Sequence, residues 1–315
     1  MNREIHILTG PTAVGKTALA LDWAEANDAE IVSCDASLFY RGMDIGTAKP
    51  TPAERARVRH WLVDICDVRE RMDVAKYVEL ARAACVDIAA RGRRILITGG
   101  SGFYLKAFFS PVADEVAVAA ELRAEIAARL GADAAGLEEL LVELRALNPG
   151  GLGALDVRNP RRVTRALERC RASGRAMAEL AADFAAQPGP FADWAVRAVR
   201  LDREPEELRV RIEARVAAML SEGLVAEVRR LCAEGIEENP SAASAIGYRE
   251  TMAALDAAEV AGAGAVDEAR LGAEIALNTW GLVRKQRTWF RSQLPSDKIR
   301  VVAAGEARAE TLFAE

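Results

Sequence analysis

The 315-residue chain is 51% hydrophobic and 28% charged, with a formal net charge of −5. That balance suits a globular protein of one large or two modest domains, and it excludes a surface coated in positive charge, so any nucleic-acid site must be local. No apolar run approaches the ~18 residues of a membrane span. The first strand begins within five residues of Met1, which leaves no room for a signal peptide, and five scattered cysteines without a Cys-x-x-Cys pair fit reduced thiols rather than a disulfide or zinc framework. A cytoplasmic location is expected.

The chain opens with an apolar run, Ile5 to Thr9, that reads as a buried strand; His6 within it reads as packed rather than catalytic. GPTAVGKT, Gly10 to Thr17, follows and matches G-x-x-x-x-G-K-[ST], and ALALDWAEAN then reads as a helix. Strand, loop and helix in that order are the setting a phosphate-cradling P-loop requires. Gly10 and Gly15 let backbone N–H groups turn inward around an anion. The helix adds the positive end of its dipole, Lys16 adds a full charge, and the Thr17 hydroxyl can hold Mg²⁺. The motif implies a bound di- or triphosphate without saying which. Thirty-six arginines stand against six lysines, so a retained lysine marks a place where a compact ammonium matters, and Lys16 is one.

Glu30 to Asp35 reads as a second strand ending in an acid. A carboxylate at a strand's carboxyl end beside a P-loop is a candidate general base; a Mg²⁺-coordinating or helix-capping role is the alternative for Asp35. Asp44 to Pro50 is turn-rich and reads as a structured loop over the site. Met72 to Gly92 has helical apolar spacing, and Arg93 to Gly100 is a third strand closed by a glycine pair. Residues 1–110 therefore alternate β and α, which predicts a parallel sheet with its ligand at the strands' carboxyl ends, where Gly10, Asp35 and Gly99 converge. From Val116 to Ala186 the pattern is nearly all helical. Gln187 to Pro190 breaks it, and Trp194 to Asp202 returns to a strand. Helices then run to Arg291, with a helix–loop–helix over Ala253 to Ala269, and Lys298 to Ala304 is the last strand. The expected fold is α/β: a P-loop NTPase-like parallel sheet flanked by helices, formed by 1–115 and 196–315, with an all-helical insert at 116–195.

Three basic clusters stand out. Arg158, Arg161, Arg162, Arg165, Arg169, Arg171 and Arg175 are crowded into the insert, and four of these positions recur on one helix face. Only Asp156 and Glu168 interleave, so phosphate-backbone contact is favoured over a solvated face. Arg211 and Arg215, one turn apart, can reach the phosphates of the P-loop or pair with Glu207 and Glu213. Val283 to Arg291 interleaves basic residues with Trp289 and Phe290, which suits nucleic-acid contact or a core.

GPTAVGKTALA, SCDASLFYRGMDIGTAKP, HWLVDI, ITGGSGFYLKA, NPRRVTRALE, RIEARVAAMLSEGLVAEV, AIGYRE and KQRTWFR occur in that order between residue 5 and about residue 292. With these strings the chain resembles the tRNA dimethylallyltransferases, also called tRNA isopentenyltransferases, in the bacterial form that lacks a carboxyl-terminal zinc finger. The resemblance implies transfer of a dimethylallyl group from dimethylallyl diphosphate to N6 of adenosine 37 in tRNA, beside the anticodon, with release of diphosphate; Mg²⁺, expected from the Thr17 hydroxyl of the loop motif, is the cofactor. It implies that Thr12, Ala13, Val14, Gly15, Lys16, Thr17 and Arg215 hold the diphosphate, Thr12 beside the departing oxygen. Asp35 would take the adenine proton. Asp35, Ala36, Ser37, Leu38 and Ser101 would line the pocket of the flipped base, and Arg161, Arg162, Val163, Thr164 and Arg165 would grip tRNA from the insert. Mg²⁺ would sit at Thr17. No membrane and no protein partner are implied.

The chain departs from the family pattern at Ala36 (after Asp35, where Ser is usual), at Ser101 (for Thr), at Trp61 (for His), at Val157 (for Pro) and at Trp280 (for Arg), with Lys and Arg exchanged at Arg284–Lys285. Three rival readings remain: a P-loop nucleotide or metabolite kinase, a dimethylallyltransferase acting on free adenylate, and a non-catalytic RNA-binding module. The Arg-rich insert argues against the second, and intact Lys16, Thr17 and Asp35 argue against the third.

Overall fold

A computed structural model describes residues 3–112, 116–131 and 134–314. The chain forms two compact units, Met1–Val112 with Gly189–Glu315, and Ala113–Pro188. The expected boundary at residue 115 lies outside the described residues.

The first unit opens with β1 (Glu4–Thr9), α1 (Lys16–Ala26), β2 (Ala29–Ser33), α2 (Pro52–Arg57), β3 (His60–Trp61), α3 (Val74–Ala90), β4 (Arg94–Gly99) and α4 (Gly102–Lys106). Among its described residues the second unit has only helices as regular elements: α5 (Ala120–Leu130), α6 (Ala134–Ala146), α7 (Pro160–Ser173) and α8 (Met177–Ala186). The chain then completes the first unit with β5 (Ala195–Asp202), α9 (Pro205–Ser221), α10 (Leu224–Ala233), the single turn α11 (Pro240–Ala243), α12 (Tyr248–Val260), α13 (Glu268–Gln293) and β6 (Ile299–Ala303).

The six strands make one parallel sheet in the order β3-β2-β4-β1-β5-β6. β1 and β2 are buried nearly end to end, which is why they read as continuous apolar runs rather than alternating ones. His6 is packed, as expected: its ring lies 4.7 Å from Trp23, and burial lowers its pKa below the ordinary histidine value. The two-residue edge strand β3 escaped the sequence pattern. Trp61 in it donates to Glu30 at 2.6 Å and lies under the Arg59 guanidinium at 4.1 Å, so the departure at this position is absorbed by local packing. The chain re-enters the sheet unit at Gly189, ahead of residue 196, because Phe191 stacks on Phe108 with ring centroids 4.4 Å apart and is buried with Trp194 in the main core.

The helical unit has its own core, in which Ile126, Leu140, Leu144, Leu167 and Cys170 are buried. Asn159 caps α7 by accepting from the Arg162 amide, with Pro160 at the first helical position. Val163 corrects an expectation: it is fully buried in this core, so its side chain holds the helix together and does not face RNA. The arginine stripe is also narrower than its sequence suggested. Arg171 pairs with Glu125 at 2.5 Å and Arg175 with Asp183 at 2.5 Å, acids brought in by α5 and α8 rather than by neighbours in sequence. Arg158, Arg161 and Arg162 remain exposed, as does Arg165, which pairs with Glu168 at 3.5 Å.

Candidate active site

The carboxyl ends of β1, β2 and β4 deliver Gly10, Asp35 and Gly100 to one end of the sheet, as the switch-point rule requires. The loop after β1 turns sharply: Ala13 has φ +61° and Gly15 φ +105°. A side chain at Gly15 would be strained there. Successive amides in such a turn face a common point and make an anion nest. Lys16 lies across the loop, its ammonium donating to the Gly10 and Pro11 carbonyls, both at 2.9 Å. Burial of that ammonium pushes its pKa down to about 8, the nearby Asp35 carboxylate opposing and the Arg215 charge adding to the fall. Lys16, Asp35 and Arg215 therefore sense one another electrostatically.

Arg215, on α9, donates to the Thr47 carbonyl at 2.9 Å. Its guanidinium is buried, which lowers its pKa from the ordinary arginine value, and the Asp35 carboxylate works against that fall. Arg211, one turn earlier, donates to the Ala13 carbonyl at 2.7 Å. Neither takes the salt-bridge alternative: Glu207 pairs with Arg203 at 2.6 Å instead. Arg203 also reaches the Val14 carbonyl at 3.4 Å. From α13, Gln286 accepts from the Thr12 amide at 2.9 Å and donates to the Gly100 carbonyl at 3.2 Å. Arg287 holds Asp202 at the end of β5. The basic–aromatic run on α13 thus faces inward at Gln286, Arg287 and the buried Phe290, while Arg284, Lys285 and Arg291 stay exposed. Arg203 and Gln286 were given no role from the sequence, although Gln286 lies within the KQRTWFR string, because their role depends on where β5 and α13 pass the loop.

Asp35 forms a tight turn. One of its oxygens accepts from the Ser37 amide at 3.1 Å and from the Ser37 hydroxyl at 2.8 Å, leaving the other without a hydrogen-bond partner among the described residues. The Ser101 hydroxyl accepts from the Ala36 amide at 2.9 Å, so Ser101 supports the turn. A cavity of about 620 Å³ opens at this end of the sheet, and Thr12, Asp35, Ala36, Ser37, Ser101 and Arg215 all line it. Met43, Ile212, Val216 and Met219 give it an apolar side. Ala13, Val14 and Gly15 belong to the adjoining loop, and Lys16 and Thr17 open α1. Leu38 does not line the cavity: it is half-buried, and its carbonyl accepts from the Asp64 amide at 3.1 Å. Trp280, where the family pattern has Arg, stacks under the Arg209 guanidinium at 4.6 Å and so ties α13 to α9.

Among the described residues no cluster of three or more His, Cys, Asp or Glu can hold a metal, and no helix is long and apolar enough to cross a membrane. All five cysteines are free.

A parallel sheet with a phosphate loop after an inner strand, and a carboxylate from the next strand beside that loop, is the architecture of the P-loop enzymes. The family can be fixed more closely. The chain belongs to the IPP transferase family, whose model matches residues 38–293. It is 62% identical over 98% of its length to a tRNA dimethylallyltransferase of Opitutus terrae, 96% of which is covered. It is 41% identical over 93% of its length to the enzyme of the same name from Deinococcus radiodurans, 91% of which is covered. Among solved structures, the full-length tRNA isopentenylpyrophosphate transferase of Bacillus halodurans superposes with a TM-score of 0.68 at 28% identity, covering 99% of this chain and 93% of that one. A eukaryotic dimethylallyltransferase acting on tRNA shares the fold, with a TM-score of 0.81 at 21% identity over 99% of this chain and 77% of that one.

Proposed function

We propose that this protein transfers a dimethylallyl group from dimethylallyl diphosphate to N6 of adenosine 37 in tRNA, releasing diphosphate. The observation that carries the reading is the convergence of Thr12, Asp35 and Arg215 on one cavity beside the phosphate loop, within a family whose members carry that name. The loop amides, Lys16 and Arg215 hold the diphosphate, with Arg211 and Arg203 closing over its outer side. The apolar residues Met43, Ile212 and Val216 take the hydrocarbon end.

The amine of adenine is a poor nucleophile because its lone pair is delocalised into the ring. As its nitrogen bonds to the allylic carbon, the C–O bond to the diphosphate breaks, the electron pair leaves with the diphosphate, and the amine proton passes to the free oxygen of Asp35. Positive charge builds on the allyl carbon and negative charge on the bridging oxygen, so donors preset around the leaving group contribute most of the stabilisation. Mg²⁺ would enter with the diphosphate: the hydroxyls of Thr12 and Thr17 are the loop side chains suited to hold it, Thr17 being exposed at the first turn of α1, and Mg²⁺ typically keeps several waters beside phosphate oxygens and one or two protein ligands. Arg161, Arg162 and Arg165 on α7 hold the RNA backbone, with the Thr164 hydroxyl beside them. The reading places the protein in the cytoplasm with its tRNA substrate.

The test is prenyl transfer to an anticodon stem-loop compared with AMP, with labelled dimethylallyl diphosphate. Labelled stem-loop and unlabelled AMP are expected. Label on AMP alone would move the protein to the free-adenylate activity, and phosphoryl transfer from ATP without allyl transfer would make it a kinase.

A further inference from the structure

Behind Arg215 lies a device that the reaction itself does not use. Glu227, on α10, is buried at 8% exposure. Its carboxylate accepts from three consecutive backbone amides: Asp44 at 3.1 Å, Ile45 at 2.9 Å and Gly46 at 3.3 Å. The Tyr248 hydroxyl, from α12, donates to the same carboxylate at 2.6 Å. Burial and that carboxylate raise the Tyr248 pKa, so the phenol keeps its proton. Gly46 lies flat against Tyr248; a Cβ there would stand 2.5 Å from the ring.

The next residue is Thr47, whose carbonyl receives Arg215. The far end of the same loop is pinned as well: Lys49, with only 4% of its side chain exposed, bonds the Tyr40 carbonyl at 2.8 Å and pairs with Asp44 at 2.7 Å. A turn that presents three amides to one side leaves them unpaired unless an acceptor meets them, and burying them unpaired is costly. Glu227 meets all three, and what it fixes is the direction of the following carbonyl.

The geometry points to Glu227, assisted by Tyr248, as a positioning residue for diphosphate binding: it holds the Asp44–Thr47 turn so that the Thr47 carbonyl aims the Arg215 guanidinium at the phosphate loop. This rests on the role proposed for Arg215. A carboxylate is needed because both of its oxygens accept; an amide would set its NH₂ against a donor. The strictness of the arrangement follows from Gly46, which lets the turn seat against Tyr248 with no gap.

The experiment is a double-mutant cycle on the full chain, with inorganic diphosphate as the probe and titration calorimetry as the readout. Glu227→Gln is expected to weaken diphosphate about tenfold when Arg215 is present, and by less than about twofold in the Arg215→Ala background. Tyr248→Phe, which keeps the ring on Gly46 and removes one donor, should act in the same direction with smaller size. Melting curves accompany each variant; if Glu227→Gln does not melt cooperatively, the Tyr248→Phe and Arg215→Ala cycle decides. Wild-type affinity in Glu227→Gln, or an equal loss with and without Arg215, overturns the assignment and leaves Glu227 with a purely structural task. Absence of diphosphate binding by the unmodified protein overturns it too. Prenyl transfer to RNA is a separate measurement, so a protein that passes the cycle but transfers nothing to RNA would sink only the proposed activity.

Discussion

The Arg211 guanidinium donates to the Ala13 carbonyl at 2.7 Å, at the one residue of the phosphate loop that adopts a left-handed backbone without being glycine. The contact fixes Arg211 over the loop, its outer nitrogen 3.6 Å from where a Cβ on Gly15 would lie. Arg211→Ala removes a charged donor and a clamp on the loop together. Such a contact contributes about 1.5–3 kcal/mol, so the affinity for inorganic diphosphate and for dimethylallyl diphosphate should fall by roughly ten- to a hundredfold. Calorimetric titration checks it; unchanged affinity for both would show that Arg211 serves the loop's shape alone.

Asp35→Asn keeps the size of the side chain and can still accept from Ser37, but it cannot take a proton. Turnover should drop by about 10²–10⁴, with the stem-loop dissociation constant changed by no more than a few-fold. Single-turnover kinetics beside a binding titration separate the two. Collapse of RNA affinity with little loss of rate would make Asp35 a binding group.

Lys16 gives a pH dependence whose sign follows from burial. Its pKa is pushed down to about 8, so the ammonium is intact below that pH and is lost as pH rises through it. The loop then loses a full positive charge. In the free enzyme, kcat/KM for dimethylallyl diphosphate should fall above about pH 8 and be level below it until other groups titrate. Lys16→Arg should flatten that alkaline limb while lowering the plateau, because arginine does not titrate there. A limb of unchanged position in the variant would assign it to another group. Lys16→Ala should weaken the diphosphate substrate far more than tRNA.

Neutralising Arg161, Arg162 and Arg165 together should weaken tRNA binding and flatten its salt dependence. Each lost phosphate contact reduces the slope of log K against log salt by roughly 0.7–0.9. Affinity for dimethylallyl diphosphate should stay as it was. Unchanged tRNA affinity across a salt series would return these arginines to a solvated face.

The phosphate loop was legible because its requirements are local: two glycines, a lysine and a flanking strand and helix sit within one short run. Asp35 was legible for the same reason, as the acid closing an apolar strand. Val163 was misassigned although its signal was present. The 3.6-residue period that sets Arg161, Arg162 and Arg165 on one face sets Val163, Ala166, Leu167 and Cys170 on the other, and the weight given to charge hid it. The pairing of Arg171 and Arg175 could not be read, because Glu125 and Asp183 reach them only after neighbouring helices pack. Gln286 sits inside the KQRTWFR string, but nothing local told what it would bond. Its two bonds exist only because α13 crosses the end of the sheet.

The bond between Gln286 and the Thr12 amide joins positions 274 residues apart. During synthesis the phosphate loop leaves the ribosome long before its clasp does. A nascent chain can therefore carry α1, and β1 already paired with β4, while the loop between them still lacks its anchor to α13. Contacts of such separation form late, after the chain-closure entropy has been overcome. On the proposed function, the grip on a diphosphate is then acquired only once α13 has docked, and ligand-dependent protection from proteolysis would report completion of the sheet unit through α13 rather than of its earlier part.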